Sequence, residues 1–132
     1  ALMMRLETDL FEIFKHAINN KLNDLKINWS KKKAITVVLC AKGYPNNYIK
    51  NSELKNLSKI VLDNDNQIFH AGTYKEENKI YSSGGRVLNI TSLSKTLFEA
   101  RTNALSILKN INWIDGFYRK DIGWRGINNK KV

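Results

Sequence analysis

The sequence has very little cysteine. Cys40 is the single thiol among 132 residues, so an internal disulfide is excluded. A chain without disulfides fits a reducing compartment, and we expect a cytoplasmic protein.

Long hydrophobic runs are also missing. A membrane-spanning helix needs about 18 consecutive apolar residues, and the longest apolar run, at 34–41, has only the length of a strand. Residues 1–7 lack the basic region and apolar stretch of a secretory signal. We therefore expect no membrane segment and no signal peptide.

The usual catalytic signatures are absent as well. The sequence has no glycine-rich nucleotide loop, no serine nucleophile elbow, no histidine-carboxylate pair and no acidic metal cluster. His16, His70 and Cys40 do not have metal-ligand spacing. An aspartate-rich stretch at 63–67 begins like a calcium loop but has Ile68 where that loop needs glycine. We expect no catalytic residue and no metal ligand in this segment.

Acidic residues are few relative to basic ones. Twelve acidic against 22 basic residues give a formal charge of +10, which favours an anionic partner such as a nucleic acid, a membrane surface or a phosphorylated metabolite. Apart from 31–33 and Lys130-Lys131 the basic residues are scattered. A merely solvated basic surface therefore remains an equal alternative.

Apolar residues at three- and four-residue spacing predict an amphipathic helix at 7–22. Its stripe consists of Leu6, Leu10, Ile13, Phe14, Ala17 and Ile18. Residues 21–33 are polar and lysine-rich and indicate a linker, which Trp29 could pin down. Because the sequence starts with Ala1, we expect that a longer protein precedes this stripe and covers it.

The remaining residues predict a small antiparallel α+β domain with one long packed helix. The β-branched run at 35–39 predicts a buried strand, and a second strand follows at 67–71. Segments 79–81 and 86–90 are predicted to form a hairpin around the glycines between them. Thr96 and Glu99 match a capping box, followed by a helix of about 14 residues.

Three short segments carry candidate ligand chemistry. In Ser83-Gly84-Gly85-Arg86 the glycines allow backbone amides to approach a phosphate, which the guanidinium can bind; a plain hairpin turn is the alternative. His70-Ala71-Gly72-Thr73 and Lys42-Gly43-Tyr44-Pro45 follow strands and could line a polar pocket, or serve only as structure. Segment 119–125 interleaves basic and aromatic residues, as single-stranded nucleic-acid sites do, although Asp121 and Ile122 fit a packed terminus equally well.

Five motifs occur in order along nearly the whole chain: RLETDL (5–10), VVLCAKGYPNNY (37–48), IFHAGT (68–73), GGRVLNIT (84–91) and FYRKDIGWR (117–125). Together they resemble the carboxy-terminal part of the glycinamide ribonucleotide synthetase family, the phosphoribosylamine-glycine ligases of the ATP-grasp superfamily. The chain differs from the family's usual residues at several positions, among them Asn89.

The resemblance implies an ATP-dependent ligase that joins glycine to 5-phosphoribosylamine in purine biosynthesis through an acyl phosphate of glycine. Its ATP and magnesium ligands would lie upstream, so the chain alone is expected to be inactive. Residues 1–33 would be the final helix and linker of the ATP-grasp domain, and 34–132 the C-terminal domain. The Leu6, Leu10 and Phe14 face would then pack on the upstream ATP-grasp domain.

Within these motifs, Gly84, Gly85 and Arg86 are the residues best suited to meet the ribose phosphate. The candidate residues for the rest of the cleft lining are Lys42, Gly43, Tyr44, Pro45, His70, Gly72 and Thr73.

Two alternatives remain. One is a stand-alone basic module that binds nucleic acid through Trp29, Tyr118 and Trp124, although nucleic acid is the less favoured partner. The other is an interaction piece that docks on a separate ATP-grasp polypeptide through its first helix.

Overall fold

The protein combines helices with antiparallel sheets, as the sequence predicts. The computed structural model describes residues 1–128, so Lys130, Lys131 and the end of the expected domain 34–132 lie outside the described residues. The helices are α1 (Leu2–Arg5), α2 (Leu10–Ile18), α3 (Leu97–Asn110) and α4 (Trp124–Asn128). The strands are β1 (Lys33–Ala41), β2 (Glu53–Leu54), β3 (Asn66–His70), β4 (Thr73–Glu76), β5 (Lys79–Ser82), β6 (Arg86–Ser94) and β7 (Gly116–Phe117).

The main sheet has four strands in the order β3-β6-β1-β7. Its central pair is β1 and β6, antiparallel with Val37 opposite Ile90 and Leu39 opposite Leu88. Burial alternates along β1, because successive side chains point to opposite faces of a strand. The predicted strand at 35–39 is confirmed as part of β1, and the strand predicted at 67–71 corresponds to β3, which ends one residue earlier at His70.

Helix α3 covers one face of this sheet. It begins at the N-cap Thr96, whose hydroxyl accepts from the Glu99 amide while the Glu99 carboxylate accepts from the Thr96 amide, so the predicted capping box is confirmed. Ala100 and Ala104 are fully buried against the sheet. Their small side chains let the helix approach the sheet closely, and the core forms in this layer.

The predicted hairpin between 79–81 and 86–90 is wrong. β5 belongs to a second sheet, of order β2-β5-β4, while β6 lies in the main sheet. The reason is the turn before β5: Glu77 and Asn78 have positive φ angles of 45° and 66°, which suits a tight hairpin between β4 and β5. The sequence patterns predict neither β2 nor β4.

The first long helix is also shorter than predicted. Asp9 caps α2 by accepting a hydrogen bond of 2.7 Å from the Phe11 amide, and the left-handed Asn20 (φ 55°) follows its end. Leu6 is not on this helix, because it is extended and bridges to Trp29. Trp29 therefore does tie the linker to the amino-terminal segment. In the described part of the chain, no helix has the length and apolar character needed to cross a membrane.

Candidate functional site

The candidate site lies on the face of the main sheet opposite α3. Val38 and Asn89 are cross-strand partners on that face, since each alternates with core residues of its own strand. A cavity of about 530 Å³ opens beside them. Its lining consists of Val38, Tyr44, Ala71, Gly72, Gly85, Arg86 and Asn89.

An irregularity in the strand pairing brings Arg86 to this face. Leu39 pairs with Leu88, but the next residue, Cys40, pairs with Arg86, so β6 has one extra residue at Val87. Simple alternation would have put Arg86 on the same face as the fully buried Leu88. The bulge instead places it with Cys40, on the open side of the sheet.

Two glycine backbones form the floor next to Arg86. The amides of Ser83 and Gly84 both donate to the Gly72 carbonyl, at 2.8 and 3.2 Å, and the Gly72 amide donates to the Arg86 carbonyl at 2.9 Å. A Cβ on Gly72 would lie 2.6 Å from the Cα of Gly84. Glycine is required here by close backbone approach.

Tyr44 closes the other side of the cavity. Its ring lies directly against Gly85, where any Cβ would overlap the ring atoms. The turn that carries it is held by a hydrogen bond of 3.1 Å from the Tyr44 amide to the Ala41 carbonyl. The ring also meets Tyr48 edge-on, with 6.1 Å between centroids. Gly85 and Tyr44 therefore form one packed unit beside Arg86.

The Arg86 side chain supplies the positive charge of the cavity. It is exposed, and its guanidinium forms no ion pair or hydrogen bond with any side chain or carbonyl in residues 1–128. Burial raises the pKa of the Cys40 thiol, and the nearby positive charge of Arg86 partly lowers this pKa again. An unpaired guanidinium beside glycine backbone is suited to binding a small oxyanion.

Not all of the predicted cleft residues meet at this cavity. Tyr44, Gly72, Gly85 and Arg86 line it, with Gly84 directly behind Gly72. His70, the last residue of β3, and Thr73, the first residue of β4, instead face each other, with Nδ1 and Oγ1 2.9 Å apart. The lining does not include the predicted loop residues Lys42, Gly43 and Pro45.

Three residues line the cavity but are not among the predicted site residues, namely Val38, Ala71 and Asn89. Ala71 lies inside a predicted segment, and Asn89 is a position at which the sequence differs from the family's usual residues. The polar Asn89 within an apolar strand is the one signal that could have identified it.

An apolar groove of about 320 Å³ adjoins the cavity and shares Val38 and Tyr44 with it. Cys40, Phe117 and Tyr118 line the groove further along the same face. Within residues 1–128, no three His, Cys, Asp or Glu side chains lie together as a metal site would require. The face therefore offers the Arg86 guanidinium, the Gly85 amide and apolar surface, which suits the binding of an anionic ligand.

The basic and aromatic tail is ordered by internal contacts. Arg119 donates two hydrogen bonds to the Asp121 carboxylate, at 3.1 and 2.8 Å, which lower the pKa of Asp121. Ile122 packs partly buried against the core. For these residues the packed, salt-bridged terminus is the interpretation that the structure supports.

Known proteins resemble this chain over almost its whole length. It is 42% identical to the phosphoribosylamine-glycine ligase of Brucella melitensis over 99% of the chain and 31% of that protein. It is 43% identical to the chloroplastic phosphoribosylamine-glycine ligase of Arabidopsis thaliana, over 99% of the chain and 25% of the relative. The chain thus spans about a third or less of the length of these relatives.

The fold agrees with these relatives. The crystal structure of phosphoribosylamine-glycine ligase from Thermotoga maritima matches 83% of this chain and 27% of its own, with a TM-score of 0.62 and 29% identity. Residues 34–125 match the family model described as phosphoribosylglycinamide synthetase, C domain. This chain therefore belongs to the phosphoribosylglycinamide synthetase C-domain family.

Proposed function

We propose that this chain is the C-terminal part of an ATP-dependent ligase that joins glycine to 5-phosphoribosylamine in purine biosynthesis. The relatives that carry this activity in their names match the chain end to end, but it accounts for less than a third of each. The observation that carries the proposal is the cavity at which Gly72, Gly85 and the unpaired Arg86 meet. In this proposal the C-terminal part closes one side of the substrate cleft.

The cavity would hold the phosphate of phosphoribosylamine. Arg86 offers a planar pair of N–H donors, which matches two phosphate oxygens, and a charged hydrogen bond of this kind is about twice as strong as a neutral one. The Gly85 amide has no acceptor among the hydrogen bonds of the described residues, so it remains as a further donor. Asn89, at the same cavity, has an amide group that can both donate and accept and could meet the sugar hydroxyls.

ATP, magnesium and glycine would bind to the rest of the enzyme. Within residues 1–128 no three His, Cys, Asp or Glu side chains lie together, and no magnesium-dependent step is assigned to these residues. When bound upstream, magnesium would neutralise the ATP phosphates during formation of the acyl phosphate. We place the enzyme in the cytoplasm, although the Arabidopsis relative is named as chloroplastic.

The exposed apolar side of α2 supports the proposal that a further domain precedes this chain and packs on it. Phe11, Phe14 and Ile18 are 70%, 57% and 81% exposed, which is unusual for three large apolar residues on one short helix. We propose that the preceding part of the enzyme covers this face, now defined by Leu10, Phe11, Phe14 and Ile18 because Leu6 lies off the helix. The division into 1–33 and 34–132 is supported by the start of the family match at residue 34.

Steady-state kinetics of Arg86→Ala in the full-length enzyme test the phosphate role. Loss of one charged phosphate contact should raise KM for phosphoribosylamine about tenfold or more, while KM for ATP changes little. The matched control is Lys75→Ala, which removes an exposed cation from β4 outside the cavity and should change neither constant. Equal KM values for phosphoribosylamine in the Arg86→Ala and parent enzymes would refute the assignment.

A further inference from the structure

A second basic cavity lies between α3 and the chain that follows β7, and it shares Tyr118 with the apolar groove. Its volume is about 570 Å³, within the usual range for small-molecule sites. It shares no lining residue with the Arg86 cavity. The lining consists of Arg101, Thr102, Leu105, Ser106, Lys109, Tyr118 and Lys120.

The lining combines three cations with hydroxyl groups and contains no carboxylate. Arg101 and Lys109 lie two turns apart on α3, and Lys120 comes from the segment packed beside it. The Asp121 carboxylate lies close enough to Arg101 for their charges to interact. Both oxygens of this carboxylate, however, accept hydrogen bonds from Arg119. The positive charge of the cavity therefore remains largely uncompensated.

Arg101 itself lacks a partner for one of its donors. One terminal nitrogen of its guanidinium donates to the Lys120 carbonyl, whereas Nε is buried and has no acceptor within the described range 1–128. A buried N–H without an acceptor is unfavourable. If the Arg101 guanidinium turned towards an oxyanion in the cavity, the oxyanion would accept this hydrogen bond and remove the cost. This observation is independent of the charge of the lining.

We propose that this cavity binds a phosphate monoester. The Arg101 fork and the ammonium groups of Lys109 and Lys120 suit a dianionic phosphate, and Ser106 adds a hydroxyl donor. Leu105 and the Tyr118 ring give an apolar wall for the organic part of the ligand. The site is distinct from the proposed substrate site and independent of it.

The test is a titration of the isotope-labelled 132-residue chain with ribose 5-phosphate, followed by amide chemical shifts. The Arg86→Gln background removes the other candidate phosphate contact. Saturable shifts are expected in segments 101–109 and 118–120, with no such shifts from uncharged ribose. Arg101→Gln should weaken this binding about tenfold, because one charge-assisted hydrogen bond is lost. Lys109→Gln, an exposed change that preserves the Arg101 contact, should weaken it about two- to fivefold.

Lys75→Gln is the matched control, because it also removes one cation, from a position on β4 that does not line this cavity. It should leave the titration unchanged. Equal weakening by Lys75→Gln and Lys109→Gln would overturn the proposal, as would shifts in 101–109 that do not saturate. Failure of the Arg86 site would appear separately, as an absence of shifts at Gly72 and Gly85 in the parent chain.

Discussion

The two faces of the main sheet have different neighbours. On one face Val37, Leu39, Leu88 and Ile90 are at most 4% exposed and pack with α3. On the other, Phe69 and Phe117 are 40% and 41% exposed, next to the Arg86 cavity and the apolar groove. The α3 face therefore contributes most of the stability, whereas the open face is available for a ligand.

The largest expected effect is on the α3 face. Leu88→Ala should lower the free energy of unfolding by about 2–5 kcal/mol, because it removes a fully buried side chain and leaves a cavity. Urea denaturation followed by circular dichroism measures this change. Val61→Ala, at a position 96% exposed, is the control and should stay within about 0.5 kcal/mol of the parent. Similar values for the two variants would contradict the division between the faces.

A smaller loss of stability is expected where the open face is tightly packed. Gly85→Ala inserts a methyl group into the Tyr44 ring position and should cost about 1–3 kcal/mol. In the Tyr44→Ala background the same change should cost much less, because the ring is gone. Additive costs in this double-mutant cycle would show that Tyr44 and Gly85 are not a packed unit.

The start of α3 predicts an effect of pH on stability. A hydrogen bond from Ser94, followed by those from Thr96, lowers the pKa of Glu99 below its ordinary value of 4.5. Because the pKa of Glu99 is lowered in the folded state, the ionised carboxylate stabilises the fold above about pH 4.5. This stabilisation is lost as the pH falls through the folded-state pKa. Glu99→Gln should therefore flatten the fall in stability below pH 4.5, as measured by urea denaturation across that range. An identical pH profile in both proteins would be evidence against the capping interaction.

The smallest effect concerns Cys40 and tests whether Arg86 acts on the open face. Burial raises the pKa of the thiol and Arg86 lowers it in part, so Arg86→Gln should raise this pKa further. Alkylation by iodoacetamide at neutral pH should then slow by about a few fold, since the thiolate is the reactive form. Lys42→Gln provides a control for general loss of charge near the end of β1. A faster reaction in Arg86→Gln would mean that Arg86 shields the thiol and does not stabilise the thiolate.

Local sequence signals are sufficient to predict the helix and the central strand of the α3 face. The capping box at Thr96 and the β-branched run of β1 act through neighbouring residues, so the sequence predicts both elements. The hairpin prediction failed because the glycine pair around Gly84 is a stronger local turn signal than Glu77-Asn78, where the chain in fact reverses.

The candidate site could be predicted only in part. The motifs point to Gly72, Gly85 and Arg86, but not to their arrangement. The bulge at Val87 and the pairing of Val38 with Asn89 depend on the register between distant strands, which local patterns do not specify. Leu6 lies off α2 and bridges to Trp29, which is likewise a contact between separated segments.

The most direct test of the phosphate site is the binding of ribose 5-phosphate to the chain, measured through the amide signals of Gly72 and Gly85. Saturable shifts are expected at these glycines in the parent chain. The affinity measured from these shifts should fall about tenfold in Arg86→Gln and stay unchanged in Lys75→Gln. Unchanged affinity at these two signals in Arg86→Gln would contradict the phosphate role of Arg86.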